Sequence, residues 1–256
     1  MSSIVQQPVS IFNEFDYITE REQEVKAHTG SVAFDGLSEP ILLAQDMSGG
    51  CGGKIWKCAN VMIDYFIWKN VQSNGTLFKN QKIVEIGSGT GLVGLAVAKI
   101  CPEIKQMVIT DQLPMMDLMQ ENIKLNHLEH SVTADILNWG EEIPNLSQVL
   151  GADVILASDC IYLEVAFLPL LETFFALTNK ESSVIYLTYK KRRNADKLFF
   201  QAAKKKFIFK DVTEDPKMNN YKRDKLHLFS VMRKPLNQQQ LQDLQKAKSN
   251  TTTTQA

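Results

Sequence analysis

The chain is short of several things, and each shortage narrows what it can be. Its four cysteines, Cys51, Cys58, Cys101 and Cys160, are scattered with no C-x-x-C pair. That spacing does not build a zinc site, so free thiols in a reducing cytosol or nucleus are expected, and no metal. The net charge is only −1, which leaves no global basic field to hold nucleic acid. No apolar run reaches the length of a membrane span. The first 20 residues lack a basic-then-apolar pattern, which points away from secretion and toward a cytoplasmic protein. No internal repeat is visible.

What is present suits one domain with tails. Residues 1–25 are polar and acidic and are expected to be flexible. Residues 236–256 are rich in Gln, Lys and Thr and are expected to be a disordered tail. Between them, 26–235 read as a folded domain. Hydrophobic residues make up 44% of the chain, enough for a sizeable core. Helices are predicted over 56–68, 92–100, 115–126, 167–177 and 196–206. Seven strands are predicted at 83–86, 107–110, 132–136, 154–157, 184–189, 207–212 and 226–232. Apolar strands alternating with helices imply an α/β protein, a seven-stranded, mostly parallel sheet with helices on both faces. Ligands in such sheets bind beyond the carboxyl ends of the strands.

The most informative stretch lies at one such end. The strand at 83–86 runs into Gly87-Ser88-Gly89-Thr90-Gly91, and a helix follows. Glycines at alternate positions let the backbone take positive φ and approach a ligand. The helix start behind them offers unpaired N–H groups. Gly89 to Gly94 spells G-x-G-x-x-G, and Asp111 follows about twenty residues on, placed to accept hydrogen bonds from ribose hydroxyls. NAD and S-adenosylmethionine both fit that much. Glu85 favours the second, because a carboxylate repels a pyrophosphate and attracts an ammonium and a sulfonium. The alternative is that Glu85 caps or pairs locally. The strand at 154–157 leads into Ser158-Asp159-Cys160-Ile161-Tyr162, an acid and an aromatic suited to orienting an amine near a methyl donor. Asp159 as a plain helix cap is the competing reading.

Together, Glu85-Ile86-Gly87-Ser88-Gly89-Thr90-Gly91 and Asp159-Cys160-Ile161-Tyr162 resemble the seven-strand protein lysine methyltransferases of the methyltransferase-like 21 group. Gly50 to Trp56 resembles that family's Trp-bearing leading segment, and Asn138-Trp139-Gly140-Glu141 its W-G-E segment. Residues 189–197 resemble the fungal branch that methylates translation elongation factor 1-alpha. The resemblance spans roughly residues 50–234. It implies a Rossmann-like, class I S-adenosylmethionine-dependent methyltransferase fold. It also implies that Gly87, Ser88 and Gly89 line the methionine end of the cofactor, that Asp111 holds the ribose, and that Trp139 lies beside the adenine. Trp56 would lie over the cofactor. Ser158 stands where relatives often carry Ala, so a contact there would run through its backbone. Core packing is the alternative for Trp56 and Trp139.

On this reading Asp159 orients the incoming lysine and Tyr162 forms one wall of its channel. The basic run 190–193 either steers an acidic patch of the protein substrate or is a solvated loop. Tyr189 borders the site, and His127 and His130 are surface residues. The expected partner is a protein, elongation factor 1-alpha, met by a monomer, with no membrane and no direct nucleic acid. The missing N-P-P-Y-type motif argues against a nucleic-acid base as methyl acceptor. A small-molecule methyltransferase, an NAD-dependent oxidoreductase and a non-catalytic binding module are the alternatives.

Overall fold

The computed structural model describes residues 27–144 and 147–235. The expectations for 1–25 and 236–256 lie outside the described residues. Strands β1 (His28–Val32) and β2 (Ile41–Gln45) form a two-stranded antiparallel hairpin that the sequence did not announce. The main elements then follow: α1 (Lys57–Gln72), β3 (Lys82–Ile86), α2 (Leu92–Ile100), β4 (Gln106–Asp111), α3 (Met116–Leu125), β5 (Val132–Ile136), β6 (Val154–Ser158), α4 (Phe167–Leu177), β7 (Val184–Lys190), α5 (Asp196–Ala203), β8 (Phe207–Asp211), α6 (Met218–Arg223) and β9 (Leu226–Arg233).

The seven main strands lie in the order β5-β4-β3-β6-β7-β9-β8. The first five are parallel, and β9 runs antiparallel to both β7 and β8. Chain order reverses between β3 and β6, so a crevice opens at the carboxyl ends of those two strands. The centre of β3 and nearly all of β6 are buried, as parallel strands covered on both faces must be. One core joins α1, α2 and α3 to the sheet, and a second joins α4 and α5 to its other face.

The hairpin is fastened by two asparagines four residues apart, Asn122 in the last turns of α3 and Asn126 at its C-cap. Asn122 Oδ1 accepts from the Ala44 N–H at 2.6 Å, and its Nδ2 donates to the carbonyls of Ala44 and Thr90. Asn126 repeats the arrangement on Leu42. The side chains thus act as a strand edge for β2 and satisfy backbone groups that would otherwise be buried unpaired. The hairpin brings the segment 46–56 across the mouth of the crevice. Two short 3-10 turns, Met47–Gly49 and Cys51–Gly53, shape it there.

Candidate active site

The glycine turn is built from β3 and β4 together. Gly87 and Gly89 have φ of +59° and +54°, which side-chain-bearing residues rarely adopt. A Cβ on Gly87 would lie 2.8 Å from the Trp139 ring, and one on Gly89 would lie 2.3 Å from the Gly52 carbonyl oxygen. The turn is therefore pressed between Trp139 and the Cys51–Gly53 segment. Ser88 latches it: its hydroxyl accepts from the Thr110 N–H at 3.0 Å and donates to the Glu85 carbonyl at 3.2 Å. Its own N–H donates to the Thr110 carbonyl, and its carbonyl accepts from Gly91. Ser88 thus shapes the loop with every polar group it has.

Glu85 works from beneath the loop. It is 1% exposed, and its Oε2 accepts from the Gly94 N–H at 2.8 Å, in the first turn of α2. This is the local capping alternative, and the carboxylate faces the helix start rather than the open rim. Burial pushes its pKa from 4.5 up to about 8. The unfolded chain sheds that proton at the ordinary value while the fold retains it. Stability therefore falls as the pH rises from about 4.5 to about 8 and levels off above. Glu85→Gln removes this slope. Thermal melts at about pH 5 and about pH 8 should differ less for the variant than for the parent; equal differences would mean that Glu85 is already ionised in the fold.

Asp111, at the end of β4, points to the turn: its Oδ2 accepts from the Gly89 N–H at 2.8 Å and its Oδ1 from the Gln112 N–H at 2.7 Å. Trp139 is half-buried against the Gly87 face of the turn. Trp56 sits at the N-cap of α1 rather than inside the predicted helix, half-buried, with its indole N–H on the Cys51 carbonyl at 3.0 Å. Ser158 ends β6, where its hydroxyl accepts from that of Thr188 at 3.2 Å. Tyr162 follows half-buried, its carbonyl held by the Arg193 guanidinium.

Asp159 leaves β6 in the left-handed region, with φ +60°. That conformation costs a residue of this type about 1 kcal/mol and recurs where geometry serves a site. Its N–H still bonds the Thr188 carbonyl of β7. Its carboxylate receives both arms of Arg192, at 2.7 and 2.6 Å. Burial drives the pKa of the Cys58 thiol well up, and the Asp159 carboxylate adds to the rise.

The two arginines of the basic run 190–193 are also tied to the crevice by their side chains. Arg192 turns inward to Asp159, and its guanidinium lies 5.7 Å from the Trp56 ring. Arg193 ties the loop to Tyr162. The cause is Asp196, 1% exposed, whose Oδ2 accepts from the Tyr189 hydroxyl at 2.8 Å and from the N–H groups of Arg192 and Arg193 at 3.2 and 3.0 Å. This buried acid holds the loop after β7 and fixes Tyr189, whose ring packs in the core against Phe200 and His227. Arg192, Asp196 and Cys58 are the site residues that the sequence reading missed. Only the i, i+4 spacing of Arg192 and Asp196 hinted at them.

The charges around the turn bear on what it can hold. Cys160, fully enclosed behind Gly87, has its pKa raised well above the usual thiol value, by burial first and then by Asp111, Asp159 and Glu85. Asp111 thus brings a carboxylate to the glycine turn, whereas Glu85 keeps its proton up to about pH 8 and Asp159 is met by Arg192. A carboxylate at that place disfavours a pyrophosphate.

The sequence profile of a family described as lysine methyltransferase matches residues 37–206. The chain belongs to that family. The protein-lysine N-methyltransferase EFM6 of Saccharomyces cerevisiae is 36% identical to this methyltransferase over 247 residues, which cover 88% of this chain and 99% of the yeast one. The protein N-lysine methyltransferase METTL21A of Xenopus tropicalis is 32% identical over 206 residues, 79% of this chain and 87% of that one. Its mouse counterpart is 30% identical over 213 residues, 82% and 90% respectively. This lysine methyltransferase therefore matches its relatives almost end to end, and the matched region contains every site residue described above. Its seven-stranded, mostly parallel sheet is the α/β architecture expected from the sequence.

Proposed function

We propose that this enzyme transfers a methyl group from S-adenosylmethionine to the ε-amine of a lysine in a protein, and that the protein is translation elongation factor 1-alpha. The observation that carries the reading is the pairing of a lysine methyltransferase sequence with a glycine turn held by Asp111 and with Asp159 at the end of the neighbouring strand. The elongation factor is supported by the likeness of residues 189–197 to the fungal branch that modifies it. Its location would place the enzyme in the cytoplasm.

The residues present fit the cofactor. Gly87 and Gly89 hold a left-handed backbone, packed against Trp139 and Gly52, that shapes a turn of the kind such a cofactor lies against. Asp111, held at the end of β4 by the Gly89 and Gln112 N–H groups, is an acceptor of the kind a ribose hydroxyl needs. Trp139 would lie beside the adenine, and Trp56 would lie over the cofactor. S-adenosylmethionine, when bound, supplies an electrophilic methyl carbon on a sulfonium.

The protein's own part is to bring an amine in, strip its charge and aim it. A free lysine has a pKa near 10.4 and attacks only when neutral. Asp159 would accept a hydrogen bond from the amine and fix its direction, with Tyr162 closing one side. The walls of Trp56 and Cys58 would remove water and lower the amine's pKa by desolvation. Alignment supplies much of the rate of such a displacement.

Purified enzyme, labelled methyl donor and purified elongation factor 1-alpha test the reading. The label should appear on a lysine of the factor.

A further inference from the structure

The surroundings of Asp159 are already those of a cation-binding slot, and a cation fills it. The carboxylate is 6% exposed as a side chain. It takes the Arg192 guanidinium in a two-pronged pair, with the Trp56 ring 5.7 Å from the guanidinium carbon. A buried acid beside an aromatic face is also what an alkylammonium needs. Arg192 and a substrate lysine therefore ask for the same place.

Arg192 is held in a way that lets its side chain go. The backbone of the loop is anchored independently, by the Arg192 and Arg193 N–H groups on Asp196 and by the Lys191 N–H on the Lys225 carbonyl at 2.9 Å. The side chain is 28% exposed, so it reaches the slot from the solvent side. Leaving Asp159 without a partner would be costly for a carboxylate so enclosed. A guanidinium that stays until an ammonium replaces it avoids that state.

We propose that Arg192 is the resident counter-ion of the lysine slot, that it occupies the slot in the free enzyme, and that the incoming substrate ammonium displaces it. This rests on the lysine-methyltransferase reading of the site. Arg192 is then a specificity-determining residue. A ligand without a cation cannot exchange with it, and a lysine must overcome its pairing, which weakens apparent substrate affinity by the fraction of time that the slot is closed.

The test compares the parent with Arg192→Gln and Arg192→Lys, using methylation of the protein substrate and binding of n-butylammonium, a lysine side-chain analogue. Arg192→Gln should lower KM for the protein and tighten n-butylammonium binding, each by at least about fivefold. Arg192→Lys loses the two-pronged geometry and should fall between. Unchanged or raised KM and unchanged or weaker analogue binding would overturn the proposal, and would make Arg192 a structural or substrate-binding residue. A second readout needs no variant: the Arg192 Nη–H resonances of the parent should lose their protection from exchange as n-butylammonium is added. Retained protection at saturation would overturn displacement. A parent enzyme that methylates no lysine would instead defeat the underlying reading, whatever Arg192 does.

Discussion

Asp159→Asn should lower kcat/KM for the protein substrate by at least about 100-fold, roughly 2.7 kcal/mol of transition-state stabilisation. Asn keeps the shape of Asp and accepts one hydrogen bond, but it brings no charge to an ammonium. It also turns an NH2 toward the Arg192 donors. The fold should tolerate the change. Losing a charged partner costs about 1–3 kcal/mol, and Arg192 is exposed enough to recover water. That corresponds to a fall of some 2–12 °C in Tm at ~2–4 °C per kcal/mol. Binding of S-adenosylhomocysteine should change little. The variant thus separates the lysine slot from the cofactor turn. Undiminished methylation by a folded, cofactor-competent variant would remove Asp159 from the mechanism.

The second large effect is expected on the other side of the site. Gly89→Ala forces a residue with a Cβ to hold φ +54°, at about 1–2 kcal/mol. It also places that Cβ 2.3 Å from the Gly52 carbonyl oxygen and 3.0 Å from the Gly52 Cα. Both atoms are backbone, so the Cys51–Gly53 turn has to move. Trp56 moves with it through its bond to the Cys51 carbonyl, and Trp56 borders Arg192. Calorimetric titration with S-adenosylhomocysteine should show at least about tenfold weaker binding, equal to about 1.4 kcal/mol, together with a lower Tm. Gly75→Ala is the control. Gly75 also has positive φ, +77°, but its Cβ would meet nothing within 4 Å. It bears the conformational cost alone and should leave binding unchanged. Equal behaviour of the two variants would mean that the contact between the leading segment and the turn is not what shapes the site.

Much of this architecture could be read from the residues. The seven main strands and five of the six helices carry their own signals: continuous apolar runs such as Val154–Ser158, or apolar residues at helical spacing. The glycine turn and Asp111 are visible because the chemistry needs them at fixed distances along the chain. The hairpin β1–β2 could not be read that way. Four of the five residues of β1 are exposed, and β2 is fastened by Asn122 and Asn126, some eighty residues on. Polar residues on a predicted helix look like a solvated face until a strand is laid beside them. The inward turn of Arg192 was hidden for a similar reason. Its partner Asp159 lies 33 residues away, and in sequence it belongs to a run of four basic residues that reads as surface. Glu85 shows the converse. Its position in the motif was plain, but only the fold shows its carboxylate committed to the start of α2.

The account turns on methyl transfer to a lysine at the crevice between β3 and β6. The most direct measurement incubates the purified parent enzyme with labelled S-adenosylmethionine and purified elongation factor 1-alpha, then locates the label by tandem mass spectrometry. The account predicts label on the ε-nitrogen of a lysine of the factor, appearing at least about 100-fold more slowly when Asp159→Asn replaces the parent. Label on a different kind of residue, or no transfer by an enzyme that binds NAD in place of S-adenosylhomocysteine, would contradict it.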